Sequence, residues 1–292
     1  MPEDQADRLR RLKRTERNNG VKSVKQSGGN RALRIAVTSG KGGVGKSNFA
    51  VNCAVALAMM KQRVLLIDAD TNLANLDILL GVNPRWNLSD VISGEKFIRE
   101  ILVPGPAGID ILPGSSGVLE MLELDVQVQR RLVEAFNELE QDYQFILIDT
   151  GAGLTPSIVA YVSASDEVAL ITNQEPTSIA DAYAMIKVVT HRNPTLPVRL
   201  MVNLVASQAE AVDVYDRINL VAQNYLNLPI EFLGYMPRDP NVVAAVSRQA
   251  PFVLAFPKSP ASAAVRTMAR RVLMRRNQAG GGDGGLLERI AK

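Results

Sequence analysis

Short apolar runs alternate with longer amphipathic stretches between residues 34 and 276. The apolar runs predict buried strands, and apolar positions spaced by three and four residues predict helices. Strands are predicted at residues 34–39, 63–67, 109–112, 145–148, 167–172, 198–203 and 230–235. Helices are predicted at residues 45–61, 73–80, 126–141, 155–164, 178–191, 208–225, 242–249 and 261–276. This alternation predicts an α/β fold, a doubly wound and mostly parallel sheet with helices on both faces.

Four shorter segments flank this body, which we place at residues 34–276. Residues 1–17 are highly charged and predict a helix, and residues 18–33 form a linker rich in Gly, Ser, Asn and Lys. Residues 277–285 form a second, glycine-rich linker, and residues 286–292 form a short tail with apolar and basic positions. The pattern therefore predicts one domain with a detachable segment at each end.

Composition narrows the class of protein. Of the 292 residues, 47% are hydrophobic, which is enough to form a sizeable core and excludes disorder for most of the chain. The only cysteine is Cys53, so an intramolecular disulfide and a cysteine-ligated cluster within one chain are both excluded. The sequence shows no signal-peptide pattern and no apolar stretch long enough to span a bilayer. We therefore expect a cytoplasmic protein.

The net charge of +3 conceals an uneven distribution. Residues 1–34 carry ten basic against four acidic side chains, and residues 262–292 carry seven against two. The region between them is acidic. Basic ends favour acidic partners such as nucleic acid or an anionic membrane, but solubility alone explains them equally well.

A glycine-rich string follows the first predicted strand and precedes the first predicted helix. It fits the pattern G-x-x-x-x-G-K-[ST] of a loop whose backbone N–H groups surround phosphate oxygens. In such a loop Lys46 would reach the β- and γ-phosphates and Ser47 would ligate Mg²⁺. The predicted ATP-binding residues here are Gly40, Lys41, Gly42, Gly43, Val44, Gly45, Lys46, Ser47 and Asn48.

The second lysine of this loop, Lys41, resembles the deviant Walker A motif of the MinD/ParA family of dimerising ATPases. The resemblance implies a P-loop NTPase fold of the SIMIBI class, with ATP and Mg²⁺ as cofactors. It also implies a homodimer in the ATP-bound state. In that family the extra lysine reaches across the dimer interface to the phosphates of the other subunit. Lys41 and Lys46 are therefore both predicted to be catalytic.

Three aspartates at predicted strand ends extend the resemblance. Asp68 and Asp70 end the second strand, and Asp149 ends the apolar run of a Walker B motif. The family pattern implies that Asp68 and Asp149 support Mg²⁺, partly through water, and that Asp70 orients the attacking water. Capping of a turn is the alternative role for the first pair. The turn after Asp149 carries Gly151 where many relatives have proline.

Base recognition is expected at later strand ends. Asn203 matches an adenine-contacting position of the family, although an asparagine at a strand end is often only a turn residue. Pro237, Arg238 and Asp239 match the segment that packs against the base. The chain lacks the Asn-Lys-x-Asp signature of guanine recognition, which favours ATP over GTP.

The N-terminal segment resembles the activator helix of the FlhG family of flagellar number regulators, also known as FleN. The string D-Q-A-D-R-L-R begins at residue 4, and two further resemblances lie at residues 175–183 and 255–259. The resemblance implies regulation of flagellar number and placement, with stimulation of an FlhF-type GTPase. A flagellar switch-complex protein or a flagellar transcription activator would be a further partner. The predicted partner-binding residues are Asp4, Gln5, Ala6, Leu9 and Arg10.

The last seven residues predict an amphipathic helix. Leu286, Leu287 and Ile290 fall on one face, with basic residues nearby. MinD and FlhG proteins use such a helix to touch the membrane as ATP-bound dimers, which implies ATP-dependent association with the inner face of the cell membrane. A frayed tail is the alternative.

Other functions remain open. A ParA-type DNA-partition ATPase would use basic surface residues, and the predicted helix 261–276 carries five arginines. A MinD-type cell-division-site ATPase shares the same nucleotide motifs. An iron–sulfur carrier of the Mrp class normally needs a C-x-x-C motif, which is absent here. A metabolic kinase or synthetase would need a second substrate site. We favour the flagellar ATPase and do not expect nucleic acid as a partner.

Overall fold

The computed structural model describes residues 31–70, 76–114, 126–276 and 285–290. Within these residues, eight strands form one sheet in the order β3-β4-β2-β5-β1-β6-β7-β8. The strands are β1 (Leu33–Ser39), β2 (Val64–Ala69), β3 (Val103–Pro104), β4 (Asp110–Leu112), β5 (Phe145–Ala152), β6 (Glu167–Thr172), β7 (Val198–Val205) and β8 (Glu231–Pro237). All neighbouring pairs are parallel except β3 with β4. The prediction of a doubly wound, mostly parallel α/β fold is confirmed.

Helices cover both faces of the sheet. They are α1 (Lys46–Met59), α2 (Leu76–Leu80), α3 (Leu88–Ile92), α4 (Val126–Glu140), α5 (Pro156–Ala164), α6 (Pro176–Arg192), α7 (Gln208–Leu226), α8 (Pro240–Ser247), α9 (Phe252–Ala255), α10 (Pro260–Arg276) and α11 (Leu286–Ile290). Successive residues of a strand point to opposite faces. Ile35 and Val37 of β1 therefore face α1, whereas Ala36 faces α5 and α6. Burial on both faces explains why the strands read as continuous apolar runs.

Several elements depart from the sequence expectations, among them α9, which was not predicted. Strand β3 is only two residues long, too short for a periodicity to show. Helix α3 follows a capping box formed by Asn87 and Asp90, a local signal that the hydrophobic pattern does not reveal. Helix α6 begins two residues before the predicted start, because Pro176 fits the first helical position. Residues 73–75 of the predicted helix 73–80 lie outside the described residues.

The body begins earlier than predicted. Ala32 is fully buried and Leu33 opens β1, so residues 31–33 belong to the body and not to the linker assigned to residues 18–33. None of the helices in the described part of the chain combines the length and the apolar character that a membrane span requires.

Candidate nucleotide-binding site

The predicted phosphate loop connects β1 to α1 at the carboxyl end of the sheet. Gly43 and Gly45 have φ angles of 79° and 90°, a region that favours glycine. Gly45 also caps α1, so the N–H groups of the first helical turn open toward the loop. This is the backbone geometry that surrounds an anion.

Lys46 points inward from the start of α1 and is 7% exposed. Its Nζ donates to Asp149 Oδ1 at 2.7 Å and to Ser47 Oγ at 3.2 Å. The structure therefore brings together three predicted site residues. Burial raises the pKa of Asp149 above its ordinary value, although the Lys46 ammonium acts in the opposite direction.

Asp68 and Asp149 lie directly opposite each other in the register of β2 and β5. Burial, followed by the charge of Asp149, raises the pKa of Asp68 to about 7. Asp68 Oδ1 accepts a hydrogen bond from the Asp70 backbone N–H at 3.2 Å. Asp70 Oδ1 in turn lies 3.4 Å from the point where a Cβ of Gly151 would stand. The two halves of the predicted Asp68/Asp70 pair thus face different neighbours, Asp149 and the turn after β5.

One carboxylate oxygen of Asp149 is available as a ligand for Mg²⁺. Asp149 Oδ2 is buried and has no hydrogen-bond partner among the described residues. Those residues contain no group of three His, Cys, Asp or Glu side chains that could hold a metal alone. Mg²⁺ typically binds one or two carboxylates together with phosphate oxygens and water, so this donor set suits a nucleotide-borne Mg²⁺.

Lys41 takes a different direction from Lys46. Its side chain is 39% exposed, and its Nζ donates to Glu175 Oε2 at 2.5 Å and to Thr177 Oγ1 at 3.0 Å. The two lysines of the loop therefore lie in separate surroundings, one buried on a Walker B carboxylate and one at the surface.

Asn203 is brought to the phosphate loop by β7. Its Nδ2 donates to the Val44 carbonyl at 2.7 Å, and its Oδ1 accepts from the Leu204 N–H at 2.8 Å. A Cβ at Gly45 would collide with the Asn203 amide. Asn203 thus holds the phosphate loop in place through the Val44 carbonyl, and its contact with adenine stays a prediction.

The segment after β8 is held by Asp239. Its Oδ1 accepts from the Asn241 N–H at 2.9 Å, which caps α8, and its Oδ2 accepts from the Ala261 N–H at 3.0 Å. Burial raises the pKa of Asp239, but these hydrogen bonds outweigh it and leave the pKa below its ordinary value. Asp239 therefore shapes this loop, and base contact by Pro237 and Arg238 stays a prediction.

Sequence reasoning missed one polar residue that supports the site. Asn52 is buried within α1, where its Nδ2 donates to the Asn48 carbonyl at 2.8 Å and its Oδ1 accepts from the Val253 N–H at 2.9 Å. It fastens the helix after the loop to α9. Asn52 interrupts the apolar run from Phe49 to Met59, and this was the available signal.

The predicted membrane-facing residues require a correction. Leu286 and Leu287 are fully buried and Ile290 is 8% exposed, because α11 packs against α4 and α5. Polar contacts fix the same position, since the Leu286 N–H donates to Glu140 at 2.8 Å and Arg289 bonds Asp166 at 3.0 Å. The apolar face thus completes the protein's own core and is not open to a lipid surface in this conformation.

The arginines of α10 are largely used inside the molecule. Arg271 donates to the Leu233 carbonyl at 2.6 Å, Arg275 pairs with Glu167 at 3.2 Å, and Arg276 donates to the Gln144 carbonyl. Their contacts fasten α10 to the sheet. This leaves fewer of the five arginines for DNA than the sequence suggested.

Some predicted residues cannot be placed. The partner-binding residues Asp4, Gln5, Ala6, Leu9 and Arg10 lie outside the described residues, as do both linkers apart from residues 31–33 and 285.

Known proteins are similar to this chain over most of its length. A family model described as "AAA domain" matches residues 32–200. The antiactivator FleN of Pseudomonas aeruginosa is 40% identical over 238 residues, which cover 82% of this chain and 85% of FleN. The flagellum site-determining protein YlxH of Helicobacter pylori is 36% identical over 203 residues, 68% of either chain.

One similar solved structure contains a bound nucleotide. The septum site-determining protein MinD of Pyrococcus horikoshii, complexed with Mg-ADP, superposes with a TM-score of 0.66 at 27% identity. The match covers 82% of this chain and 96% of that MinD. The similarity extends beyond the phosphate loop to nearly the whole body.

Proposed function

Because this chain belongs to the MinD/ParA family of P-loop ATPases, we propose that it is an ATP-dependent, dimerising switch that regulates flagellar number and placement. The observation that carries the proposal of a dimerising switch is that Lys41 and Lys46 lie in different surroundings. Lys46 is buried on Asp149, where it serves the nucleotide of its own chain. Lys41 is at the surface, where it can reach the nucleotide of a second copy.

The site residues then have distinct roles. Lys46 exchanges Asp149 for the β- and γ-phosphates, and the loop N–H groups hold the remaining phosphate oxygens. Ser47, Asp149 and Asp68 would hold Mg²⁺, which neutralises phosphate charge when bound. Asp70 orients the attacking water beside the turn at Gly151. The three motifs contain no Glu or His, so hydrolysis is slow, as suits a switch.

The relatives support the flagellar role. FleN is named an antiactivator and YlxH a flagellum site-determining protein, so both names concern control of flagella or of transcription. We extend this control to our chain, with an FlhF-type GTPase as the target of residues 1–17. A transcription activator or a flagellar switch-complex protein is the further partner.

A peptide test separates the N-terminal segment from the ATPase body. A peptide of residues 1–17 is expected to stimulate the GTPase of the FlhF-type partner without the body. The Gln5→Ala peptide keeps the net charge and is expected to stimulate less. Equal activity of both peptides, or an inert wild-type peptide, would remove the activator role.

Membrane contact requires α11 to leave its site. The helix packs against α5, which begins a few residues after the turn at Gly151–Gly153, so the nucleotide site and the tail are joined through one helix. We propose that the released tail touches the membrane weakly, and that pairing in a dimer strengthens the contact.

A ParA-type DNA-partition ATPase is the second candidate, and a MinD-type cell-division-site ATPase shares the same motifs. The internal contacts of Arg271, Arg275 and Arg276 argue against the first. A gel-shift assay with ATP-loaded protein tests it. Tight, strongly salt-dependent DNA binding would favour partition over flagellar control.

The oligomeric state tests the switch itself. By size exclusion with light scattering, we expect a monomer with Mg-ADP and a dimer with a non-hydrolysable ATP analogue. Asp70→Ala is expected to bind ATP and to accumulate as a dimer. One oligomeric state with both nucleotides would contradict the switch, and normal hydrolysis by Asp70→Ala would contradict the role of that residue.

A further inference from the structure

The amino end of the sheet, opposite the nucleotide-binding end, carries a group of basic side chains. Lys61 and Arg63 stand in the turn from α1 to β2, and both are exposed. Arg276 ends α10, and its Nε donates to the Gln144 carbonyl at 3.0 Å. The Gln144 side chain accepts from the Arg63 N–H at 2.7 Å. Gln144 therefore joins Arg63 to Arg276, and we name Lys61, Arg63 and Arg276 the amino-end patch.

The positive charge of this patch is not neutralised by nearby carboxylates. Among the described residues, Lys61 and Arg276 form no ion pair. The acidic side chains closest in sequence or space pair with other arginines, Asp142 with Arg99 and Glu167 with Arg275. Burial and, second, the charge of Arg63 lower the pKa of Arg276, so the two guanidinium groups repel each other. An anion between them would relieve this repulsion.

Two exposed methionines adjoin the patch. Met59 ends α1 and Met274 lies in the last turn of α10, with 45% and 64% of their surface exposed, and the two helices pack against each other. Residues 240–282 carry seven basic and no acidic side chains. Basic side chains beside flexible apolar ones suit an anionic lipid surface. The phosphate backbone of a nucleic acid would offer the methionines no apolar partner.

A released tail would bring this patch to the membrane. Nine residues, 277–285, separate Arg276 from α11, and a connection of this length spans at most about 35 Å. The docked tail also lies at the amino end, because the Leu286 N–H donates to Glu140, four residues before Gln144. One short apolar segment gives only weak attachment, and stable anchoring takes a second signal.

We propose that the amino-end patch is a second membrane-binding site, which takes the phosphate headgroups of anionic lipids. This rests on the proposed function, since insertion of the tail holds the end of α10 near the bilayer. The tail supplies the apolar anchor, and the patch adds affinity that depends on anionic lipid. Met59 and Met274 lie at the boundary between headgroups and acyl chains.

Vesicle pelleting with the full chain and a non-hydrolysable ATP analogue tests the patch. Lys61→Gln/Arg63→Gln removes two charges and keeps the contact between Arg276 and Gln144. On vesicles that contain phosphatidylglycerol beside phosphatidylcholine, this variant is expected to bind about 20-fold more weakly than the wild type. On phosphatidylcholine alone the two proteins are expected to bind equally, because only the tail contributes there.

A matched control removes two exposed arginines elsewhere. Arg217 lies on α7 and Arg248 follows α8. Arg217→Gln/Arg248→Gln has the same net charge as the test variant, and its vesicle binding is expected to match the wild type. Equal weakening of both double variants would overturn the patch, because binding would then follow net charge alone.

A second arm separates the patch from the tail. With Mg-ADP at low ionic strength the tail stays docked, and the wild type is expected to bind phosphatidylglycerol vesicles weakly and in a salt-sensitive way. The test variant is expected to lose this binding, and the control to keep it. If the ATP analogue adds no affinity, the proposed tail contact fails while the patch stands.

Two results would overturn the patch outright. One is equal binding of the wild type and Lys61→Gln/Arg63→Gln to phosphatidylglycerol vesicles in both arms. The other is a test variant that keeps its vesicle affinity but loses DNA binding in a gel-shift assay, which would assign these residues to nucleic acid.

Discussion

Asp166, at the amino end of the sheet, and the pair Asp68 and Asp149, at the carboxyl end, have pKa values shifted in opposite directions. At the carboxyl end, burial raises the pKa of Asp149, and burial with the Asp149 charge raises that of Asp68 to about 7. At the amino end, burial also acts on Asp166, but the hydrogen bonds and charge of Arg34 outweigh it and lower the pKa. Burial acts in the same direction on all three carboxylates, so the opposite pKa shifts come from their different charged partners.

At the amino end, Asp166 is fully paired with cations. Arg34 is fully buried and donates to both carboxylate oxygens of Asp166, at 2.9 and 2.7 Å, and Arg289 adds a third contact. Glu140 in the same cluster keeps a raised pKa because burial exceeds the effect of its contacts. At the carboxyl end, Lys46 pairs with Asp149, and Asp68 stands opposite Asp149 in the sheet. Two buried carboxylates, Asp68 and Asp149, therefore share one lysine, and a site with this charge balance favours a further cation.

The largest expected effect is a loss of stability at the amino end of the sheet. Arg34→Met leaves Asp166 and Glu140 without their buried cation, and removal of one member of such a pair costs about 3–5 kcal/mol. Urea unfolding measures the loss. Arg217→Met is the control, because it breaks an exposed pair with Asp213 and is expected to change stability by less than about 1 kcal/mol. Similar losses in both variants would contradict the importance of burial.

The next expected effect is the pH dependence of stability that Asp68 causes at the carboxyl end of the sheet. The folded chain, without nucleotide or Mg²⁺, holds the Asp68 proton up to about pH 7, whereas an unfolded aspartate releases it near the ordinary value of 3.8. Asp68 therefore lowers the free energy of unfolding as pH rises between these values, by about 4 kcal/mol in total. Asp68→Asn is expected to equal the wild type near pH 4 and to exceed it at pH 8. Asp166 has the opposite sign, because its contribution is lost as pH falls.

That difference is measured by unfolding both proteins at several pH values. A constant gap between wild type and Asp68→Asn from pH 4 to pH 8 would contradict a raised Asp68 pKa. Addition of Mg²⁺ and ADP is expected to reduce the advantage of the variant, because the cation offsets the negative charges of Asp68 and Asp149.

The smallest expected loss of stability comes from shortening a side chain in α11. Leu287→Ala removes a fully buried side chain, a change that usually costs 2–5 kcal/mol. Because we propose that α11, a helix of five residues, is released separately from the body, we expect only about 1–2 kcal/mol. Met274→Ala, at an exposed position of α10, serves as the control. A full core penalty would mean that α11 unfolds only with the whole body and cannot be released.

Local motifs explain what the sequence could predict. The phosphate loop and Asp149 are recognisable because each combines a strand end with a short, fixed residue pattern. The parallel sheet follows from the alternation of apolar runs and helices. These features depend on neighbours in the sequence, so their positions agree with the structure to within a few residues.

Contacts between distant residues could not be predicted in the same way. Lys41 meets Glu175 across 134 positions, and Arg34 meets Asp166 across 132. The tail shows the same difficulty, since the pattern of Leu286, Leu287 and Ile290 serves a membrane or the chain's own core equally well. Only the groove between α4 and α5 decides between them.

The separate roles of the two loop lysines are the central claim, and paired alanine variants test it most directly. ATP-analogue affinity and oligomeric state are measured for Lys46→Ala and Lys41→Ala. Lys46→Ala is expected to lose nucleotide affinity, because its ammonium serves the phosphates of its own chain. Lys41→Ala is expected to retain the nucleotide but to remain monomeric and hydrolyse ATP poorly. Equal loss of nucleotide affinity in both variants would contradict a role for Lys41 across a dimer interface.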